Sequence, residues 1–268
     1  MRVLHVWDVS GVASTIATHM DRLYQTQSEL LVRARFSHFG IETFPNTKVS
    51  NSGALGFGLS ALLRARSADV VHVHSFWKLV PNLKRLYPEK VVLLSFHNIT
   101  DKYRWTERRS SIARADLITV STPNLITQDS PPGVVLVENP VDTDIFYDRH
   151  QHEPGTALHR EAFATEEALE MAARRNLKIR VIPRTESISH DEMGAVMAPY
   201  EYYIDVKRSP RVSPEILTAT SRMGFEALAS GLKLIRWDGS VLDGLPDQNR
   251  PEHVARTFFE HYRRLLEA

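Results

Sequence analysis

The chain has 268 residues, 43% of them hydrophobic and 24% charged, the balance of a globular protein able to bury a sizeable core. Its 33 Lys and Arg against 32 Asp and Glu give a formal net charge of +1, which supplies no global drive toward nucleic acid or an acidic membrane. It has no cysteine, which excludes disulfides, thiolate metal sites and cysteine nucleophiles.

The opening Met-Arg-Val-Leu-His-Val-Trp-Asp reads as a short strand broken by Asp8, not as the apolar region of a signal peptide. No stretch approaches the roughly 18 uncharged apolar residues of a spanning helix, so a cytoplasmic protein is expected. Val3 to Trp7 is the strand, Ser10 to Ser14 a small polar loop, and Ile16 to Leu23 a helix. This is the first half of a βαβ unit. Leu30 to Ala34 follows as a strand, then a turn-rich segment from Phe36 to Ser52, then a helix from Ala54 to Arg66. Val70 to His74, Val91 to Phe96, Leu117 to Val120 and Val134 to Val137 are further strands. Helical patterns at Leu79 to Tyr87 and Tyr103 to Ala113 separate the first of these. Near-continuous β-branched runs between helices indicate a mostly parallel sheet covered on both faces.

Asp142 to Pro154 is polar and marks a boundary. Beyond it the pattern predicts a long amphipathic helix over Ala157 to Arg175, a strand at Lys178 to Ile182, and a short helical piece within Glu192 to Tyr200. A strand follows at Tyr202 to Val206, with a turn or helix from Pro214, a strand at Leu232 to Trp237 and a closing helix at Pro251 to Leu266. The most informative stretch is Ser221-Arg222-Met223-Gly224-Phe225-Glu226-Ala227-Leu228-Ala229-Ser230-Gly231, where one carboxylate lies inside a small, apolar helix pattern. Glu is rarely buried without a partner. Glu226 therefore either lies at the helix edge in water or faces a ligand at the carboxyl edge of a parallel sheet.

Glu226-Ala-Leu-Ala-Ser-Gly231 resembles the donor-site helix of retaining GT-B glycosyltransferases of the family 4 type. Val137-Glu138-Asn139-Pro140-Val141-Asp142-Thr143-Asp144-Ile145-Phe146 resembles the same family's Asn-Gly-Val-Asp-x-x-x-Phe junction between domains. The resemblance implies an α/β GT-B fold: two Rossmann-like lobes with mostly parallel sheets facing a cleft, here unusually small. The lobes would be 1–142, on the acceptor side, and 143–250, carrying the nucleotide-sugar donor, with 251–268 as closing helix. It further implies metal-independent transfer of a sugar from a nucleotide diphosphate to a hydroxyl acceptor, with retention. No cofactor is expected beyond this donor substrate.

Within that frame Glu226 matches the glutamate that holds the nucleotide ribose, a task suited to a carboxylate that accepts two hydrogen bonds. The family's preceding glutamate would fall at Thr218; Glu215 lies three residues earlier and is the candidate for the sugar. Ser221 can cap the helix and present N–H groups to phosphate, with Gly224 permitting close approach. Arg222 either pairs with the diphosphate or points to solvent. Lys207, Arg208 and Arg184 follow strands, where parallel sheets bind ligands, and are candidates to neutralise the leaving group. Gly11, in Gly11-Val-Ala-Ser14, resembles the family's small-residue loop, which a tight βα turn explains equally well. His97 resembles the histidine near the transferred sugar; His74 and His72 share one face of the preceding strand.

Other chemistries fit less well. His150-Gln-His152-Glu153 is a chance cluster on a polar linker, and no metal site is assigned. Neither a Gly-x-Gly-x-x-Gly nor a Gly-x-Ser-x-Gly pattern occurs. The expected partners are a nucleotide-diphosphate sugar and a glycan or lipid-linked acceptor, with no nucleic acid. Phe76-Trp77-Lys78 and Tyr103-Arg104-Trp105 either pack between helices or offer peripheral membrane contact. Two other readings stand beside transfer: a non-catalytic sugar-nucleotide or glycan binder or partner subunit, and a nucleotide-sugar epimerase, which needs acidic and histidine groups around the sugar.

Overall fold

The computed structural model describes residues 1–34, 41–97, 105–161, 164–206 and 219–268, without the side chains of 107 and 108. The chain forms two compact units, Met1–Pro140 with Pro251–Ala268, and Val141–Arg250. Among the described residues no helix is long and apolar enough to cross a membrane.

The first unit is built on β1 (Arg2–Val6), β2 (Gln27–Arg33), β3 (Thr47–Ser50), β4 (Val70–His74), β5 (Val91–Phe96), β6 (Leu117–Val120) and β7 (Val135–Leu136). Their order is β3-β2-β1-β4-β5-β6-β7, and every pairing is parallel. This is a doubly wound order whose direction reverses between β1 and β4, the place where such sheets receive ligands. Helices α1 (Val12–Tyr24), α2 (Ala54–Ala65), α3 (Val80–Leu86) and α4 (Trp105–Ile112) connect the strands. Because β4 and β5 are buried along their whole length and β1 from Val3 to Val6, they read as near-continuous apolar runs, broken by His5, His72, His74 and Ser95. Leu4, Val6, Val71, Val73 and Phe96 meet Phe57, Val80, Leu83 and Trp105 on one face. Val3, Val70 and Leu93 meet Ile16, Met20, Phe258 and Tyr262 on the other. Thr47–Ser50 lies in the stretch read as turns; it is an edge strand whose exposed residues give no apolar alternation.

The closing helix α8 (Pro251–Glu267) belongs to this first unit. Its buried stripe is Val254, Ala255, Phe258 and Tyr262. Phe259 stacks on Tyr24 of α1, with ring centroids 4.1 Å apart and planes 8° from parallel. Burial of each large side chain in that stripe contributes about 1.5–3 kcal/mol.

The second unit holds β8 (Glu153–Arg160), β9 (Lys178–Ile182), β10 (Tyr200–Asp205), β11 (Lys233–Arg236) and β12 (Val241–Leu242), in the order β12-β11-β10-β8-β9. All pairings are parallel except β11 with β12. Helices α5 (Thr165–Arg174), α6 (His190–Met197) and α7 (Arg222–Ala229) cover it. The order reverses between β8 and β10. The helix expected over Ala157–Arg175 is corrected here: Glu153–Arg160 is a strand, and a helix runs over Thr165–Arg174. Ala and Leu favour helix, but helix propensity is a weak prior that tertiary pairing overrides. Between β10 and β9 the Ala157–His159 backbone finds partners on both sides, and all three side chains are buried. Gly155, at φ 75°, lies within β8 where its register against β10 shifts between Tyr200 and Tyr202.

Candidate functional site

At the carboxyl edge of the second sheet, α7 begins with Ser221 as N-cap, its Oγ accepting from the Gly224 N–H at 2.9 Å. The Ser221 N–H donates to Asp205 Oδ2, at the end of β10, at 2.6 Å. The chain thus supplies its own anion to this helix N-terminus. A Cβ at Gly224 would stand 3.0 Å from Asp205 Oδ2 and 2.9 Å from Thr220 Cγ2, so a larger residue there makes these side chains shift.

One turn on, Glu226 is 4% exposed and lies nowhere near open water. Its Oε1 accepts from Arg222 Nε at 2.7 Å. Arg222 therefore does not point to solvent; it folds back along the helix onto the carboxylate four residues later. Its Nη1 and Nη2 are buried and have no hydrogen-bond partner among the described residues. Arg160, the last residue of β8, repeats the pattern: Nη2 donates to the Glu186 carbonyl at 3.2 Å, and Nη1 is buried without a partner. Between them lies the buried Tyr203, whose phenol is held protonated by burial and by the nearby Asp205 and Glu226 carboxylates.

His190, the first residue of α6, faces the same group. Burial lowers its pKa; Glu226 pulls it up, Arg222 lowers it further, and Asp142 and Asp191 pull it up. Its ring meets Phe146 edge-on, with centroids 5.1 Å apart. Ser189 and Glu192 close a reciprocal cap on this helix. The sequence reading missed both His190 and Arg160. The cap pattern Ser189-x-x-Glu192 was the available signal for the first. Arg160 was hidden by the helix expectation for its segment. Arg184 lies after β9, with its N–H on Glu161 Oε2 at 2.8 Å and its Nε on the Glu161 carbonyl at 3.4 Å. Lys207, Arg208, Glu215 and Thr218 fall outside the described residues.

In the first unit the same device recurs at the start of α1. Asp8, just past β1, accepts from the Ala13 N–H at 2.9 Å, the Ser14 N–H at 3.1 Å and the Ser14 hydroxyl at 2.7 Å. Gly11 is the N-cap at φ 78°, a left-handed conformation that glycine adopts without strain. The small-residue loop is thus a turn whose helix end is filled by an internal carboxylate.

Beside it a row of imidazoles crosses the sheet. His5 and His72 are register partners on β1 and β4, and His5, His72 and His74 are all fully buried. His97 Nδ1 meets Asn139 Oδ1 at 2.7 Å, His97 Nε2 meets His74 Nδ1 at 2.9 Å, and His74 Nε2 meets His5 Nδ1 at 3.2 Å. With the Asn139 oxygen accepting, the Nδ1 of His97, His74 and His5 each donates in turn, and the run of bonds is directed toward Asn139. His5 Nε2 is left buried and without a partner among the described residues. His72 bonds the Tyr262 hydroxyl at 2.6 Å and Ser95 Oγ at 2.5 Å. Burial lowers the pKa of all three, that of His5 to about 3. His5, His72 and His74 are close enough to share a metal ion. The His72 and His74 ring centroids lie 3.9 Å apart with their planes tilted by 31°. Both ring nitrogens of His97 are engaged within the protein, so it meets a sugar only by releasing one of them. Trp105 is wholly buried, its Nε1 donating to the Leu125 carbonyl at 2.9 Å, and it offers nothing to a membrane.

Fold and site together define a protein of two α/β units with mostly parallel sheets, whose second unit holds buried guanidinium nitrogens at its carboxyl edge that have no partner among the described residues. No protein-family model matches the sequence, and no curated protein does. Among solved structures, the chain is similar to a UDP-GlcNAc 2-epimerase from Neisseria meningitidis bound to UDP-GlcNAc, at 14% identity and a TM-score of 0.48, covering 99% of this chain and 94% of that one. A second UDP-N-acetylglucosamine 2-epimerase matches at 12% identity and 0.48, covering 99% and 90%. MnaA of S. aureus in complex with UDP matches at 13% and 0.45, covering 99% and 89%. At these values the likenesses assign neither reaction nor ligand.

Proposed function

We propose that the chain is an enzyme that binds a nucleoside diphosphate sugar on its second unit and acts on the sugar. The observation that carries this reading is the pair of arginines: Arg160 Nη1 and both Nη atoms of Arg222 are buried and lack partners among the described residues. A buried, unsatisfied donor costs about 1–3 kcal/mol. A diphosphate offers acceptors on several oxygens, and a guanidinium fork binds such an anion through two parallel bonds. Glu226 orients Arg222 through Nε and leaves both Nη groups for the ligand.

Two reactions fit such a ligand. Transfer to a hydroxyl acceptor, with retention, requires stabilisation of the departing diphosphate, which the two cations provide. Epimerisation requires groups that remove and return a proton at a sugar carbon. The grouping of His190 with Glu226, Asp142 and Asp191 favours epimerisation, because a histidine held neutral by burial is a competent proton acceptor. The test is incubation with a panel of UDP-, GDP- and ADP-sugars, including UDP-N-acetylglucosamine, read by mass spectrometry and proton NMR. A product of unchanged mass and changed configuration establishes epimerisation. A released nucleotide with a glycosylated acceptor establishes transfer. Binding without turnover leaves a sugar-nucleotide binding protein, and absence of binding across the panel removes the proposal.

A further inference from the structure

Helix α2 is apolar around its whole circumference. Its sequence, Ala-Leu-Gly-Phe-Gly-Leu-Ser-Ala-Leu-Leu-Arg-Ala, has Ser60 and Arg64 as its polar residues, and Arg64 pairs with Glu29 at 2.5 Å. Phe57, Ala61 and Ala65 pack into the first unit's core. The opposite side carries Leu55, Leu59 and Leu63, which are 87%, 62% and 75% exposed. A helix that is apolar all round is ordinarily buried on all sides. Beside this face lies a mostly apolar groove of about 540 Å³ between α2 and the Phe76–Asn82 segment, lined in part by Leu55, Leu59, Leu62, Phe76 and Leu79, with Lys78 among them.

The charge along this stretch is mostly basic, with Arg64 paired to Glu29 and Lys84 to Asp116, which leaves Arg66 and Lys78 as the exposed cations beside the leucines. From Thr43 to Pro88 the chain carries Lys48, Arg64, Arg66, Lys78, Lys84 and Arg85 against one carboxylate, Asp69. That carboxylate receives the Arg2 N–H at 2.7 Å. Arg66 follows Leu59 and Leu63 on the same helical stripe and is exposed, as is Lys78, whose ammonium sits 5.7 Å from the Trp77 ring centroid. A second copy of this face would bring the same cations together, whereas an anionic lipid surface complements both the leucines and the charge.

We propose that the outer face of α2 docks this protein on an anionic lipid bilayer, with Leu55, Leu59 and Leu63 in the acyl region, the adjoining groove receiving an acyl chain, and Arg66 and Lys78 at the headgroups. Apolar insertion combined with a basic rim is the chemistry of interfacial helices. The test is co-sedimentation of the full chain with vesicles of phosphatidylglycerol and phosphatidylcholine, at low and high salt. Binding is expected at low salt, weakened about tenfold by high salt. Replacing Leu55, Leu59 and Leu63 together by Ser is expected to weaken it by at least about tenfold, with an unchanged thermal midpoint because these side chains are exposed. The double variant Arg66→Glu and Lys78→Glu, which leaves the leucines in place, is expected to weaken it about tenfold and decides the matter if the triple variant does not fold. No binding to the mixed vesicles at low salt overturns the proposal, as does full binding by a folded triple variant. A concentration-dependent dimer by light scattering, abolished in the triple variant and unaccompanied by vesicle binding, overturns it in favour of a second copy.

Discussion

At the residue scale, the Glu226 carboxylate serves Arg222 first and any ligand second. Glu226→Gln keeps the shape and removes the charge from a hydrogen-bonded pair that contributes about 1.5–3 kcal/mol. The thermal midpoint is expected to fall, and affinity for the bound nucleotide sugar to drop about 10- to 150-fold as Arg222 loses its orientation. A midpoint that falls with affinity unchanged would restrict Glu226 to a structural role. Arg222→Lys retains charge without the fork, and calorimetry should show a comparable affinity loss with a smaller change in stability. The local sequence marked Glu226 as unusual because a carboxylate stood among apolar helix positions. It could not show that the partner would be the arginine one turn earlier, because a pairing at this spacing depends on which helix face is buried. The histidines give a second residue-scale expectation. In the unfolded chain they take up protons near pH 6.5. In the fold His5 stays neutral to about pH 3, and burial also holds His72 and His74 neutral well below their usual value. The unfolded state therefore binds more protons below pH 6.5, and stability present above that pH is lost as pH falls. Each such histidine contributes a slope of about 1.4 kcal/mol per pH unit. Urea midpoints at pH 7.5, 6 and 5 should decline accordingly, and His5→Leu should flatten the decline.

At the element scale, two helices begin in the same way. Asp8 closes the N-terminus of α1 and Asp205 that of α7, each from the end of a parallel strand. Gly224→Ala tests the second: its methyl would press on Asp205 and Thr220, and overpacking of this kind costs about 1–3 kcal/mol, read as a lowered urea midpoint. An unchanged midpoint would mean that the Asp205 carboxylate moves aside without cost. The alternation of strand and helix was legible in the first unit wherever its strands are buried on both faces and rich in Val, Ile and Leu, and was missed at the exposed edge strand Thr47–Ser50. It failed at Glu153–Arg160, where Pro, Gly, Thr and Ala carry little strand signal and the flanking strands decide the conformation. The site inherited that failure, since Arg160 is placed by this strand.

At the scale of the whole molecule, the chain leaves the first unit after Pro140 and returns to it at Pro251. The Val141 N–H donates to the Asn249 carbonyl at 3.0 Å, so the outgoing and returning segments are joined within the second unit. The first unit's core is completed by Phe258 and Tyr262 of α8, and Tyr262 also holds His72. A chain ending at Arg250 should therefore lose the first unit's cooperative unfolding transition while the second unit keeps its own, a difference that calorimetry or hydrogen exchange resolves. Survival of both transitions would show that α8 is dispensable. The same arrangement sets an order on biosynthesis. Domains ordinarily fold as they emerge, the amino-terminal one first. Here the ribosome makes the strands from β1 to β7 and must then translate all of β8 to β12 before α8 exists to cover them. The second unit can close first, while the earlier-made sheet waits with one apolar face covered only in part, by Ile16 and Met20 of α1, until α8 is made.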